Sequence, residues 1–355
     1  MNPIQTIVVD DSAFMRKMIS DILSSDNRIN VIATARNGED GIKKIKELQP
    51  DVVTLDVEMP IMDGITALQK IMETNPTSVV MFSSVTSEGT AKTIQAISYG
   101  AVDFISKPSG SITLNLTNIK EEIIAKVITA SEVTLSKVVA AQPLLTSSVH
   151  TATISMPYDK TIVAIGTSTG GPRALQRVLT ELPKDFRAPI LIVQHMPAGF
   201  TKSLAERLNS LAKINVKEAT HGEIIQDHTA YIAPGNYHMR TRKVGTTLAI
   251  ELTEDSLRNG HRPSIDELFE SLSIVQKVNK IAVILTGMGT DGSEGIKKLK
   301  ASESKTIVIA ESEQSSVVYG MPKAAVRTNY VNHIVHLHQV GETITNLVHK
   351  NTGGK

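Results

Sequence analysis

Three short stretches carry residue types suited to acyl transfer. The first is Gly166-Thr167-Ser168-Thr169-Gly170-Gly171, which follows the apolar run Thr161-Ile162-Val163-Ala164-Ile165 and precedes a helix-like segment from Pro172 to Leu179. Strand, glycine turn and helix in that order put the Ser168 hydroxyl at a strand's carboxyl end. A helix N-terminus lies close by, where backbone N–H groups favour developing negative charge. Residues 166–170 also fit G-x-S-x-G in the strand–turn–helix context that pattern requires. The second stretch is Val193-Gln194-His195-Met196-Pro197, at the end of another apolar run. The third, Leu285-Thr286-Gly287-Met288-Gly289-Thr290-Asp291-Gly292, supplies an acid. Serine, histidine and acid are the parts of a hydrolytic triad: Ser168 attacks a carbonyl, His195 takes its proton, and Asp291 holds the imidazole tautomer. The glycines in the third stretch let a backbone N–H approach an oxyanion, and Met288 is the candidate donor.

Two other uses of the first loop stay open on these residues. It fits a plain glycine turn, and it partly fits a phosphate-binding loop. The dinucleotide fingerprint needs G-x-G-x-x-G, yet Ser168 takes the second Gly position, and the next strand ends in Gln194-His195 where a ribose-binding acid belongs. The order Ser, His, Asp also differs from the Ser, Asp, His order of α/β-hydrolases. His221, His228, His238, His333, His336 and His338 lie in polar or mixed surroundings and are expected at the surface, without a metal, since no acid accompanies the last three.

A second constellation lies in the N-terminal third. Apolar runs at residues 6–9, 31–35, 51–55, 78–82 and 101–105 alternate with helical spacing, which argues for a five-stranded doubly wound parallel sheet. Ligands gather at the carboxyl ends of such strands. The residues there are Asp10, Asp11, Asp56, Ser83 and Lys107. Three carboxylates in one place need a cation, and hard oxygen ligands with room for water suit Mg²⁺. Asp56 is then able to attack a phosphoryl group, Ser83 to hydrogen-bond the new phosphate, and Lys107 to pair with it. The Lys107-Pro108 peptide is a candidate cis bond in a tight turn.

The elements that must hold these groups fall into two domains. The chain has 355 residues, enough for two cores of ordinary size. Residues 126–159 lose the strand–helix alternation, and a Ser/Thr-rich stretch within them reads as a flexible linker, although helix could continue to about Ala141. From Thr161 onward a second doubly wound, mostly parallel α/β domain follows, with a small irregular β insertion between Ile214 and Leu252 and a helix over 264–278. Net charge of +1 gives no reason to expect nucleic acid or an anionic membrane as a partner, and the absence of Cys removes thiol catalysis and Cys-ligated metals. No apolar run approaches the ~20 residues of a membrane span, no signal peptide is evident, and a cytoplasmic protein is expected.

Residues 4–125 resemble a response-regulator receiver domain. The pieces that carry the resemblance are Val8-Val9-Asp10-Asp11-Ser12, Leu55-Asp56-Val57-Glu58-Met59-Pro60-Ile61-Met62-Asp63-Gly64, Phe82-Ser83-Ser84 and the run from Gly100 to Pro108. It implies Asp56 as phosphoacceptor and Asp10 and Asp11 as Mg²⁺ ligands with Asp56 and the carbonyl of Glu58. It also implies Ser83 and Phe104 as switch residues, Lys107 as the phosphate's partner, and a histidine kinase as phosphodonor. Ser84 stands where Ala is commoner, which would tighten the pocket.

Residues 160–349 are similar to the catalytic domain of chemotaxis-type protein-glutamate methylesterases. The motifs are Ile165 to Pro172, Val193 to Pro197, His261-Arg262-Pro263-Ser264-Ile265-Asp266 and Leu285 to Gly292. The resemblance implies hydrolysis of glutamate γ-methyl esters on chemoreceptors with release of methanol, and deamidation of receptor glutamines. Both reactions pass through an acyl-enzyme on Ser168 and need no cofactor. It leaves the role of Arg262, Ser264 and Asp266 open. Thr167, where Ala is commoner, is expected to narrow the approach to Ser168. A monomer is expected, in which the unphosphorylated receiver covers the Ser168 cleft and phosphorylation releases it. A DNA-binding output is opposed by the near-neutral charge and the lack of a basic helix-turn-helix pattern.

Overall fold

The protein is described by a computed structural model covering residues 2–107, 116–133, 158 and 160–349. Pro108, most of the expected linker and the tail Asn351-Thr352-Gly353-Gly354-Lys355 lie outside the described residues. The chain divides into two compact units, within residues 1–140 and 141–355.

The first unit runs β1 (Ile4–Val9), α1 (Ala13–Ser24), β2 (Ile29–Ala35), α2 (Gly38–Leu48), β3 (Val52–Asp56), α3 (Gly64–Thr74), β4 (Ser78–Ser83), α4 (Ser87–Ser98), β5 (Asp103–Ser106) and α5 (Leu116–Glu132). All pairings are parallel, in the order β2-β1-β3-β4-β5. β3 and β4 are buried on both faces, which is why they read as unbroken apolar runs. Short polar side chains start four of the helices: Ser12, Asn37, Asp63 and Thr86 each accept the N–H three residues on. The chain order reverses between β1 and β3, so Asp10 and Asp56 face each other across the switch point. α5 continues through residue 125 to Glu132, seven residues into the segment expected as linker.

The second unit continues with β6 (Thr161–Thr167), α6 (Gly171–Glu181), β7 (Ile190–Gln194), α7 (Phe200–Leu211), β8 (Asn215–Glu218), β9 (Thr229–Ile232), β10 (His238–Val244), β11 (Thr247–Thr253), α8 (Ile265–Ser273), β12 (Asn279–Ile284), α9 (Ser293–Ser302), β13 (Ile307–Glu311), α10 (Met321–Arg327), β14 (His333–Val335) and α11 (Leu337–His349). Seven strands form one parallel sheet in the order β14-β13-β12-β6-β7-β9-β8. The expected β insertion is therefore smaller than its strand-like runs suggested. β8 and β9 extend the main sheet, and β10 and β11 make a separate antiparallel hairpin. α8 ends at Ser273, short of the expected 278. The core lies between this sheet and its helices, around Leu191, Val193, Ile265, Phe269, Ile284 and Met321. Its switch point falls between β6 and β12, and β7 flanks β6 on the other side. The three loops that leave these strands carry Ser168, His195 and Asp291.

Candidate active site and phosphoacceptor site

In the first unit, Asp10, Asp11 and Asp56 each offer an oxygen within 4.8 Å of the others. Asp10 and Asp56 are buried and Asp11 is exposed. Lys107 Nζ lies 3.0 Å from Asp10 Oδ2 and 2.7 Å from Asp56 Oδ2. Burial pushes the Asp56 carboxyl up to about 6, against the Lys107 hydrogen bond and charge, and the Asp10 carboxylate adds repulsion. Burial works against the Lys107 ammonium too, yet the two carboxylates outweigh it and its pKa is raised. One ammonium against three carboxylates leaves a surplus of negative charge. The buried Asp10 Oδ2 and Asp56 Oδ2 share the single Lys107 ammonium. Hard oxygen donors with unused lone pairs fit a small divalent cation.

The other expected residues of this unit are placed as follows. Glu58 donates its N–H to Asp56 Oδ1 at 3.3 Å, and its side chain is exposed. Ser83 is buried and donates its hydroxyl to the Gly89 carbonyl at 3.0 Å, at the start of α4. The Ser84 hydroxyl pairs with Thr86 Oγ1 at 3.1 Å. Phe104 is 3% exposed, turned into the core, with Lys126 Nζ 5.2 Å from its ring. Lys126 went unnoticed in the sequence. From α5 it also reaches Glu122 and Asp103 and donates to the Phe104 carbonyl at 2.5 Å.

In the second unit, Ser168 leaves β6 directly. Its N–H donates to the Thr286 carbonyl at 3.0 Å, and its carbonyl accepts from the Gly171 N–H at 2.7 Å. Gly170 takes φ +77° to turn the chain into α6, a backbone region costly to L side chains. Thr167 does not narrow the approach to Ser168. It is fully buried, with its hydroxyl donated to the Thr286 carbonyl at 2.9 Å beneath the turn.

His195 is tied to the same turn by its N–H, 3.2 Å from the Thr167 carbonyl. Its side chain is nearly buried, with Nε2 2.8 Å from Asp291 Oδ2. Nδ1 is buried and makes no hydrogen bond. The ring of His261 stacks on that of His195, centroids 3.9 Å apart and planes 12° from parallel. The turn that delivers His261 is closed by paired backbone bonds with Arg258 at 2.9 and 3.0 Å. Arg258 is held in turn by Glu267 and Glu270 of α8.

Asp291 is 2% exposed and fully satisfied. Oδ1 accepts from the Ser264 hydroxyl at 2.9 Å, the Asp266 N–H at 3.1 Å and the Gly292 N–H at 3.1 Å. Oδ2 accepts from the Ile265 N–H at 2.7 Å as well as from His195. Burial opposes the charge, but the His195 contact and these backbone donors outweigh it, so the carboxyl is held well below the ordinary carboxylate range. This answers what the 261–266 motif is for: the N-terminus of α8 is a cradle for Asp291. Ser264 stands at the expected N-cap, but its hydroxyl serves Asp291 and not its own helix. Asp266 lies behind the pair and accepts the Gly295 N–H at 2.7 Å. Burial pushes its carboxyl up to about 6, and the Asp291 charge adds to that against the Gly295 and Arg258 contributions. Arg262 points its guanidinium at the Glu254 and Asp255 carbonyls, at 2.5 and 2.8 Å.

Met288 stands between two glycines, and the first of them lies against Ser168. A Cβ on Gly287 would lie 2.8 Å from Ser168 Cβ, and Gly289 takes φ +82°. Ser168, His195, Asp291 and Met288 therefore occupy adjoining loops at one end of the sheet.

A model of the CheB methylesterase family matches residues 163–344, and one of the response regulator receiver domain matches residues 6–117. The chain belongs to the CheB methylesterase family. A relative from Oceanobacillus iheyensis, named protein-glutamate methylesterase/protein-glutamine glutaminase, is 57% identical over 97% of this chain and 99% of its own. A relative of the same name from Bacillus subtilis is 48% identical over 98% of this chain and 99% of its own. The crystal structure of the Thermotoga maritima CheB methylesterase catalytic domain is 42% identical, covers 53% of this chain and 99% of that one, and has a TM-score of 0.52. The chain is thus a response regulator whose output domain is a CheB-type hydrolase.

Two of the six histidines expected at the surface are not there. His238 is fully buried, with Nε2 3.0 Å from the Ser256 carbonyl, and His333 is 9% exposed on β14. His336 and His338 face each other through their Nδ1 atoms at 2.6 Å. Among the described residues, the Asp10, Asp11 and Asp56 group is the one cluster of three or more candidate metal ligands.

Proposed function

We propose that Ser168 is the nucleophile, His195 the general base through Nδ1, Asp291 the residue that holds its tautomer, and Met288 N–H the oxyanion donor. The reaction they serve is that of the family: hydrolysis of glutamate γ-methyl esters on chemoreceptors, and deamidation of receptor glutamines, under control of receiver phosphorylation. The observation that carries the assignment is the His195–Asp291 contact at 2.8 Å, with Nδ1 left unpartnered and buried. An ionised Asp291 fixes the proton on Nε2, so Nδ1 presents a lone pair.

Ser168 Oγ adds to the ester carbonyl while its proton passes to Nδ1 of His195. The carbonyl oxygen takes the negative charge and is met by the Met288 N–H and the α6 N-terminus. The C–O bond to the methoxy group then breaks, and Nδ1 returns the proton to give methanol. Water repeats the sequence on the acyl-enzyme and frees the glutamate carboxylate. With glutamine the leaving group is ammonia. Every atom is supplied by substrate, water and these residues.

In the receiver, Asp56 is the proposed phosphoacceptor. Asp10, Asp11 and Asp56, with the Glu58 carbonyl, would hold Mg²⁺, which supplies charge neutralisation for phosphoryl transfer. Lys107 is poised to pair with the phosphate, and Ser83 and Phe104 are the proposed responders. The phosphodonor is a chemotaxis histidine kinase. No described helix is long and apolar enough to cross a membrane. The proposed site of action is the cytoplasm, on the receptors' cytoplasmic helices. A monomer satisfies the scheme.

The test is mass spectrometry of enzyme quenched during turnover on a methylated receptor peptide. A peptide-ester adduct on the segment containing Ser168 is expected. Steady turnover in Ser168→Ala would overturn the assignment.

A further inference from the structure

Gln194 is the last residue of β7 and stands opposite Thr167 in the sheet register. Its side chain is buried, the residue being 2% exposed. Nε2 donates to the Ser168 carbonyl at 3.0 Å and to the His195 carbonyl at 3.3 Å. One carboxamide therefore joins the loop carrying the nucleophile to the loop carrying the base. Its orientation is set by its partners, since the opposite flip would aim an oxygen at two carbonyl oxygens. Oε1 is buried and accepts no hydrogen bond. It lies over Gly171, where a Cβ would come within 2.0 Å of it. The amide thus fills the space beneath the nucleophile turn that the glycine leaves open.

A buried acceptor without a donor costs stability, which a core chosen for stability alone would avoid by using an apolar side chain. We infer that Gln194 is a positioning residue for the hydrolytic reaction, bridging the Ser168 and His195 main chains and setting their separation at the expense of one unsatisfied acceptor. This inference rests on the roles proposed for Ser168 and His195. Beyond the β6–β7 ladder, a 3.2 Å bond from the His195 N–H to the Thr167 carbonyl also joins the two segments. That bond fixes the strand ends, and the Ser168 peptide is held to Thr286 and Gly171 but not to the His195 loop. The amide adds that link, from the Ser168 carbonyl to the His195 carbonyl.

Gln194→Met keeps the length and volume and removes both donors and the orphaned acceptor. Gln194→Glu keeps the shape and replaces the donor with an acceptor. Both are tested in the full-length chain on methylated receptor membranes with phosphodonor and Mg²⁺, beside Ser168→Ala. An atomic displacement of about 1 Å at a reacting pair costs on the order of 10²-fold in rate. Both variants should lose about that factor in kcat, with KM within about twofold of the parent and with Gln194→Met melting no earlier than the parent. Unchanged kcat in Gln194→Met, a rise in KM alone, or a rate loss matched by lost folded protein in both variants would overturn the inference. If Ser168→Ala also turned over, the fault would lie in the assignment of the nucleophile. If Ser168→Ala were inactive and Gln194→Met fully active, only the positioning role would fall.

Discussion

Nε2 of His195 stands 2.8 Å from Asp291 Oδ2, and in the proposed scheme this contact decides which ring nitrogen is the base. With Nε2–H committed to the carboxylate, the proposed scheme leaves only Nδ1 to take the Ser168 proton. Asp291→Asn keeps the size of the side chain but can present an amide N–H to Nε2 and force the proton onto Nδ1. The wrong tautomer should lower kcat by on the order of 10⁴-fold with KM little changed. Methanol release under saturating receptor measures it, and a loss below tenfold would contradict the assignment.

Ser264 is one of five donors on the Asp291 carboxylate. Ser264→Ala removes the hydroxyl while the backbone donors at the α8 N-terminus remain. A net hydrogen bond to a charged group is worth about 1.5–3 kcal/mol, so a drop in kcat of about tenfold or more is expected, much smaller than for Asp291→Asn. An equal loss in the two variants would mean that the hydroxyl does more than orient the acid.

Asp266 gives a pH signature. Its folded carboxyl is pushed up to about 6, above the ordinary value near 3.9 in an unfolded chain. The folded state therefore binds the proton more tightly. Stability is gained as pH falls from above 6 toward 4, and the ionised group is unfavourable above 6. Asp266→Asn imitates the protonated acid and should raise the melting temperature of the C-terminal unit by about 2–4 °C at pH 8, on the order of 1 kcal/mol. Near pH 4 the gain should vanish. Thermal melting at both pH values checks it, and destabilisation at pH 8 would contradict it.

The fold class and the strand-end chemistry were legible because parallel strands buried on both faces read as unbroken apolar runs. β6, β7 and β12 announced themselves, and each is followed at once by Ser168, His195 or Asp291. The cradle of α8 was not legible. Its motif was visible, but Ser264 and Asp291 are 27 residues apart and meet through a backbone N-terminus that carries no sequence letter of its own. Gln194 stood in plain view inside a quoted motif, yet its partners are carbonyl groups, which every residue has. The surface placement of His238 and His333 failed because local polarity says nothing of the helices that later cover a strand. Thr167 misled for a different reason: its bulk beside the commoner Ala suggested a narrower approach, yet the side chain is buried with its hydroxyl on the Thr286 carbonyl.

Thr167→Ala tests that last point. The buried hydroxyl on the Thr286 carbonyl should contribute about 1 kcal/mol to stability, so the variant should melt a few degrees lower. With no side chain in the approach to be removed, KM for receptor should not fall. A lower KM, with unchanged melting, would return Thr167 to the cleft.

Charge surplus around Asp56 predicts a cation requirement confined to one unit. With a small phosphodonor, Mg²⁺ should raise methanol release in the parent and leave Asp56→Ala at its basal rate. Removing the metal with a chelator should abolish the stimulation and spare the basal rate, since the proposed roles of Ser168, His195 and Asp291 call for no metal. Loss of the basal rate on chelation would contradict that division.

Methanol release from methylated receptor membranes by the full-length chain, measured beside a folded Ser168→Ala variant, tests the central claim most directly. The account predicts steady release by the parent and none above background by the variant. Release by Ser168→Ala at a rate near the parent's would mean that the strand-end serine is a structural turn residue and that the hydrolytic centre lies elsewhere.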